Sequence, residues 1–206
     1  NDHQKKFQTF LLNKINSKNK PNILEFGVRE GYSTEQFIDL VEKNEGHLTS
    51  VDIQNYKNLF KSERWQFIHS RDDNFNLVAS NIKDKLDVIL IDSFHEANHV
   101  IKIINLYYQY LKVGGYIFID DISWLPYLKN KKRNSFYCEI NNMETFEKIL
   151  NLYNSNYENF ELEYTFVSSG FACIKKLNDH KLLELKEIPS RKFSIRNIFR
   201  KIKHLI

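Results

Sequence analysis

The sequence predicts an α/β fold: a doubly wound, seven-stranded, mostly parallel sheet with an antiparallel last strand and helices on both faces. Three observations predict it. Short apolar runs alternate with segments of helical spacing from residue 22 to residue 153. One run, LDVILID (86–92), is apolar almost throughout, as a central strand covered on both faces must be. Beyond it the alternation breaks: FELEYTFV (160–167) and FACIKKL (171–177) are joined only by SSG, so they pair antiparallel.

The elements follow in order. NILEFGV (22–28) is a short strand closed by glycine. STEQFIDLVEKN (33–44) carries Phe37, Leu40 and Val41 at helical spacing, with Ser33 or Thr34 as the cap. HLTSVDI (47–53) and WQFIHS (65–70) read as strands, and NFNLVASNI (74–82) as a short helix. After strand 86–92, HVIKIINLYYQYL (99–111) places Val100, Ile103, Ile104, Tyr107 and Leu111 along one helical side. GGYIFIDDI (114–122) is a strand opened by a glycine turn, and METFEKILNLY (143–153) is a helix. The stretch 123–142 between them is the one long loop, a length commonly reserved for function.

Composition bounds the function. The 206 residues carry a formal charge of +4, suited to one domain with a full core: residues 1–180, followed by a basic tail, 181–206. No apolar run approaches the roughly 20 residues that span a bilayer. No signal peptide is visible, and the chain begins at Asn1 rather than Met, which leaves open a leader lost by trimming. Cys138 and Cys173 have no CxxC spacing, so neither a disulfide framework nor a zinc site is expected. Cys173 reads as an inert core residue, and a cytoplasmic location fits best.

Ligands of such a sheet bind at the carboxyl ends of its strands. The first strand ends in EFGVREG, with Glu25, Gly27 and Gly31, small residues that let a ligand approach backbone and helix N-terminus. The second ends at Asp52, placed to accept hydrogen bonds from a ribose diol. The pattern is E-x-G-x-x-x-G, not the G-x-G-x-x-G that cradles a pyrophosphate, which counts against a nicotinamide-dependent oxidoreductase. The bland alternative is that the glycines only turn the chain and Asp52 only caps a strand.

Here the chain resembles the class I S-adenosylmethionine-dependent methyltransferases, over roughly residues 20–177. The resemblance implies S-adenosyl-L-methionine as cofactor. Glu25, Gly27 and Gly31 would hold its methionine part, Asp52 its ribose, and Ser70 and Asp72, after the third strand, its adenine.

The fourth strand runs straight into Asp92 and His95, and the fifth into Asp120 and Asp121. Adjacent strand ends bring three carboxylates and an imidazole together. The carboxylates repel one another unless a cation neutralises them, and all-oxygen ligands suit Mg²⁺. A metal-held hydroxyl is more acidic, and histidine can take its proton. IDSFHEANH followed by LKVGGYIFIDDI resembles the metal-dependent sugar O-methyltransferases of macrolide biosynthesis. By that resemblance Asp92, Asp120 and Asp121 are metal ligands and His95 is the catalytic base. Ser93-Phe94 stands where that family often has a glycine before its histidine, which changes the loop that aims His95. The plainer alternatives are that Asp92 contacts the cofactor's amino group, that Asp120 or Asp121 caps a turn, and that His95 is a solvated helix-end residue. His99 reads as a bystander.

The expected function is O-methylation of a sugar or glycan-like small molecule. The alternatives are a metal-independent methyltransferase and a non-catalytic cofactor-binding scaffold. Asp92-Ser93-Phe94-His95 replaces the Asn/Asp-Pro-Pro-aromatic motif of nucleic-acid amino methyltransferases, so no nucleic-acid partner is expected. Loop 123–142 supplies Trp124, Tyr127 and Tyr137 to a sugar, and Arg133 in the basic run 129–133 to an acidic group or only to solvent. In the tail, Ile195, Ile198, Phe199, Ile202, Leu205 and Ile206 share one helical face, with Arg196, Arg200, Lys201 and Lys203 elsewhere. Packing on the domain or on a second copy ranks ahead of contact with an anionic membrane at its inner face.

Overall fold

Alternation along the strands divides the core in two. Leu24, Phe26, Ile89, Ile91, Ile117, Ile119, Ala172 and Ile174 point to one face of the sheet. Ile23, Leu48, Val88, Leu90, Phe118, Phe171 and Cys173 point to the other. Side chains two apart share a face, so a sheet that must be covered twice is apolar at every position. The computed structural model describes residues 2–125, 136–189 and 194–203.

The strands are β1 (Asn22–Phe26), β2 (His47–Asp52), β3 (Trp65–His69), β4 (Leu86–Ile91), β5 (Leu111–Asp120), β6 (Phe160–Thr165) and β7 (Phe171–Lys176). Their order is β3-β2-β1-β4-β5-β7-β6. All pairings are parallel except those of β7, which runs against both β5 and β6. This is the expected doubly wound sheet with its reversed last strand. Chain order changes direction between β1 and β4, and a crevice opens at that switch point.

Three short helical stretches form the N-terminus: α1 (Asp2–Lys6), a π-helical segment Phe7–Leu12 and α2 (Asn13–Ile15). With α3 (Tyr32–Lys43) they cover one face, through Phe7, Phe10, Leu11, Ile15, Phe37 and Val41. Helices α4 (Phe75–Ser80), α5 (Ala97–Tyr107) and α6 (Phe136–Asn156) cover the other, through Val78, Val100, Ile104, Tyr107, Ile149 and Leu152. Cys173 is buried in the first of these layers, and burial pushes its thiol up to about 12, so it is inert.

Two boundaries differ from the sequence reading. Helix α5 stops at Tyr107, and one 3₁₀ turn leads to a strand beginning at Leu111, not Gly114. Leu111 already pairs with Leu86, and a bulge restores register at Val88 and Tyr116. Helix α6 starts at Phe136, so the end of the supposed long loop is helical. The buried Asn142 donates from Nδ2 to the Ser123 carbonyl at 2.8 Å, tying the early helix to the end of β5.

After β7 the chain is strapped along α6. Asn156 Oδ1 accepts from the Leu183 amide at 2.7 Å, Ser155 Oγ from Lys186 at 2.9 Å and Asn151 Oδ1 from Ile188 at 2.9 Å. Helix α7 (Ile195–Lys203) buries none of its residues. The expectation that it packs on its own domain is therefore not met: Ile195 is 72% and Phe199 67% exposed. Leu205 and Ile206 lie outside the described residues, as do Tyr127 and the basic run 129–133. Among the described residues no helix is long and apolar enough to cross a membrane.

Candidate active site

The crevice exists because β1 and β4 separate beyond a last shared contact. The Asp92 amide donates to the Phe26 carbonyl at 2.9 Å, and the Gly27 amide to the Val51 carbonyl at 2.9 Å. Gly27 has φ +95°, and a Cβ there would lie 2.0 Å from the Asp92 carbonyl oxygen. Only glycine allows both the left-handed backbone and this approach.

Above this floor lies a cavity of about 480 Å³, lined by Gly27, Asp52, Ser70, Asp72, Asp92 and His99 among others. That volume is in the usual range for a small-molecule site. Asp52 is fixed by three backbone amides. Its Oδ2 accepts from Val28 at 2.8 Å and Arg29 at 3.3 Å, and its Oδ1 from Gln54 at 2.8 Å. Asp72 is 8% exposed, and its Oδ2 accepts from Ser93 Oγ at 2.5 Å and His99 Nε2 at 2.8 Å. His99, read from sequence as a bystander, thus holds a carboxylate in the cavity wall, with Phe94 edge-on at 5.4 Å.

Two predicted cofactor residues stand behind the cavity rather than in it. Glu25 is fully buried: Oε1 accepts from Ser33 Oγ at 2.6 Å, and Oε2 from Thr34 Oγ1 at 2.8 Å and Ser50 Oγ at 2.6 Å. It ties β1 to α3 and β2. Burial raises its carboxyl to about 7, although all three hydroxyl bonds favour the anion. Gly31 caps α3 at φ +81°, and a Cβ there would meet Phe60 and Leu59 at 2.7–2.8 Å.

Asp92 joins the cavity to the second group. His95 Nε2 lies 3.4 Å from Asp92 Oδ1 and 3.8 Å from Asp121 Oδ2. Burial disfavours the imidazolium, but the Asp92 hydrogen bond and the charges of Asp121, Asp92 and Asp120 outweigh it and raise the His95 pKa. Burial, then the charge of Asp120, raises Asp92, against the pull of His95. The two side chains are 28% and 32% exposed, so solvent tempers both shifts. The arrangement favours the imidazolium form of His95.

Asp120 is answered differently. Its Oδ1 accepts from Lys6 Nζ, from Ser169 Oγ at 3.0 Å and from the Asp121 amide at 2.6 Å. Lys6 is fully buried and Asp120 4% exposed. A magnesium ion needs free oxygen lone pairs at about 2.1 Å in near-octahedral array. The Lys6 ammonium already occupies one oxygen of Asp120, and among the described residues no three His, Cys, Asp or Glu side chains group as a metal cage. Strand ends bring Asp92, Asp120 and Asp121 near one another as expected, but they do not fit a preformed magnesium site.

Known proteins share this architecture. A model of the methyltransferase domain matches residues 24–122, which run from β1 to just beyond Asp121. The sheet, with its reversed last strand, has the class I methyltransferase fold. Among solved structures, MycE from the mycinamycin biosynthetic pathway, in complex with Mg and S-adenosylhomocysteine, superposes with TM-score 0.63 at 14% identity, over 89% of this chain and 52% of that one. A Podospora anserina methyltransferase bound to S-adenosylhomocysteine gives 0.59 at 16%, over 76% and 72%. The plantazolicin methyltransferase BamL gives 0.55 at 15%, over 84% of each chain. A curated relative, an uncharacterised protein of Acanthamoeba polyphaga mimivirus, is 34% identical over 61 residues, 28% of each protein. The chain therefore spans about half the length of MycE and a smaller share of the viral protein.

The structure adds Lys6, Ser169 and His99 to the residues expected from sequence. Ser169 lies in the β6–β7 turn, where its carbonyl accepts from the Ser123 amide at 2.8 Å and its hydroxyl reaches Asp120. A turn serine carries no signal of its own. The partner of Asp72 was more accessible, because an imidazole in the first turn after a strand end faces the crevice.

Proposed function

We propose that the chain is an S-adenosylmethionine-dependent methyltransferase acting on a hydroxyl of a sugar-like small molecule. The observation that carries the proposal is the position of Asp92. It lines the cavity that contains Asp52 and Asp72, and on its other side it touches His95. In this reading a cofactor site and a proton-accepting group share one wall.

The cavity residues fit the cofactor. Asp52 keeps carboxylate lone pairs for a ribose diol. Ser70, Asp72 and His99 border the region after β3 where a base would lie. The cofactor supplies, when bound, a methyl group on a positively charged sulfur. Gly27 leaves its backbone open beside Asp92, and the Asp92 charge favours a cation there. His95 takes the proton of the acceptor hydroxyl, with Asp92 and Asp121 stabilising the imidazolium that results. Only the neutral fraction of His95 acts, so transfer rises with pH. Lys6 against Asp120 leaves magnesium, expected from the sequence, without a role in this reading.

The test is transfer of labelled methyl from S-adenosylmethionine to pooled hydroxylated acceptors, namely sugars, nucleotide-sugars and phenols. Acceptor-dependent transfer to oxygen, lowered by about 10²-fold or more in His95→Ala, is the expected result. Transfer to nitrogen, indifferent to His95→Ala, would overturn the proposal.

A further inference from the structure

We infer that Lys6 is the resident cation of this site: the N-terminal helix inserts its ammonium against Asp120, where a divalent ion would otherwise be needed. The inference rests on the reading of the cleft as a methyl-transfer site, but its test does not depend on that reading.

A fully buried lysine is costly unless it is paired and hydrogen-bonded. Lys6 Nζ has three N–H bonds and a complete set of neighbours. It donates to Asp120 Oδ1 and, at 2.6 Å, to Ser169 Oγ, and it stands 4.2 Å from the centre of the Phe171 ring. Carboxylate, hydroxyl and aromatic face come from β5, the β6–β7 turn and β7. The helix is held in place by Phe7, Phe10, Leu11 and Ile15 in the core, and its π-helical widening begins at the residue after Lys6. A single π turn inside a helix is a common device for aiming a functional side chain.

Two basic groups then face the three carboxylates. Of the three carboxylates, Lys6 answers the innermost, and His95 lies between the outer two. Lys6 acts as a positioning residue. The oxygen it holds also accepts the Asp121 amide, and Asp121 adopts φ +57°, a left-handed backbone uncommon for a residue with a side chain. That turn aims the Asp121 carboxylate back at His95. Lys6 thereby sets the geometry of the proton-accepting group through Asp120 and Asp121, without touching the acceptor.

Manganese binding to the full chain, followed by electron paramagnetic resonance with and without S-adenosylhomocysteine, tests this. Manganese suits carboxylate sites and reports its own binding. The wild type is expected to show no saturable binding at the cluster up to about 1 mM. Lys6→Met leaves Asp120 buried and uncompensated, and should gain binding by about tenfold or more, lost again in Lys6→Met/Asp120→Asn. A folded Lys6→Met chain with no gain would overturn the inference. So would saturable wild-type binding that Asp120→Asn abolishes, and this second comparison decides the matter if Lys6→Met does not fold. Wild-type binding unchanged by Asp120→Asn lies elsewhere and leaves the inference standing. A protein that binds neither manganese nor S-adenosylhomocysteine would refute the proposed function and not the role of Lys6.

Discussion

Gly27 sits so close to Asp92 that a methyl group on its Cα would lie 2.0 Å from the Asp92 carbonyl oxygen. The contact joins the ends of β1 and β4, and the obstructing atom is backbone, which cannot swing aside. Gly27→Ala meets this clash and a φ of +95° together. The variant should lose about 3 kcal/mol or more of stability, and cofactor affinity with it. Denaturant melts and S-adenosylhomocysteine calorimetry would show both losses. A variant as stable as the wild type would mean that the two strand ends are looser than described.

Asp72 depends on His99. Removing the imidazole in His99→Ala leaves the Asp72 carboxylate with Ser93 as its side-chain partner in the cavity wall. We expect S-adenosylhomocysteine affinity to fall by about tenfold, with partial recovery in His99→Gln, which can donate from a similar reach. Equal affinity in wild type and His99→Ala would return His99 to the bystander role read from the sequence.

Glu25 makes stability depend on pH. Its carboxyl is raised from 4.5 to about 7 on folding. The folded chain therefore holds a proton that the unfolded chain releases. The contribution of Glu25 to stability is greatest below pH 4.5 and falls as pH rises to about 7, by about 3 kcal/mol in all. Glu25→Gln removes that slope while keeping a side chain that bonds to Ser33, Thr34 and Ser50. The wild type should lose ground against Glu25→Gln between pH 5 and pH 7.5 in parallel thermal melts. A constant difference in Tm across that range would show that Glu25 is ionised in the folded protein at all these values.

Much of the fold was legible because burial forces a pattern on strands. LDVILI had to be central, and the short SSG link had to reverse the last strand. The ends of β1, β2, β3 and β4 were equally readable, so Gly27, Asp52, Ser70, Asp72 and Asp92 were placed at the crevice before the structure. The burial of Glu25 is not legible, because sequence cannot show that Ser33, Thr34 and Ser50 close around both of its oxygens. The charge balance was incomplete for a similar reason. Three carboxylates called for a cation, but Lys6 is 114 residues from Asp120 in the chain. A clue existed: Phe7, Phe10, Leu11 and Ile15 have the spacing of one helical face, and a helix there must cover the sheet. Which polar residue that helix would bury was not readable, since the π-helical turn shifts the phase of its faces. The early start of α6 was hidden by polar residues such as Asn142, whose buried role depends on a carbonyl in another element.

The central claim is that the cavity between Asp52, Asp72 and Asp92 holds S-adenosylmethionine. Calorimetric titration with S-adenosylhomocysteine tests it most directly, with Asp52→Ala as the matched control and NADH as the competing ligand. The account predicts one saturable site, weakened by about tenfold or more in Asp52→Ala because a hydrogen-bonded carboxylate is lost, and no NADH binding. No S-adenosylhomocysteine binding by the folded wild type, or binding unaffected by Asp52→Ala, would contradict it.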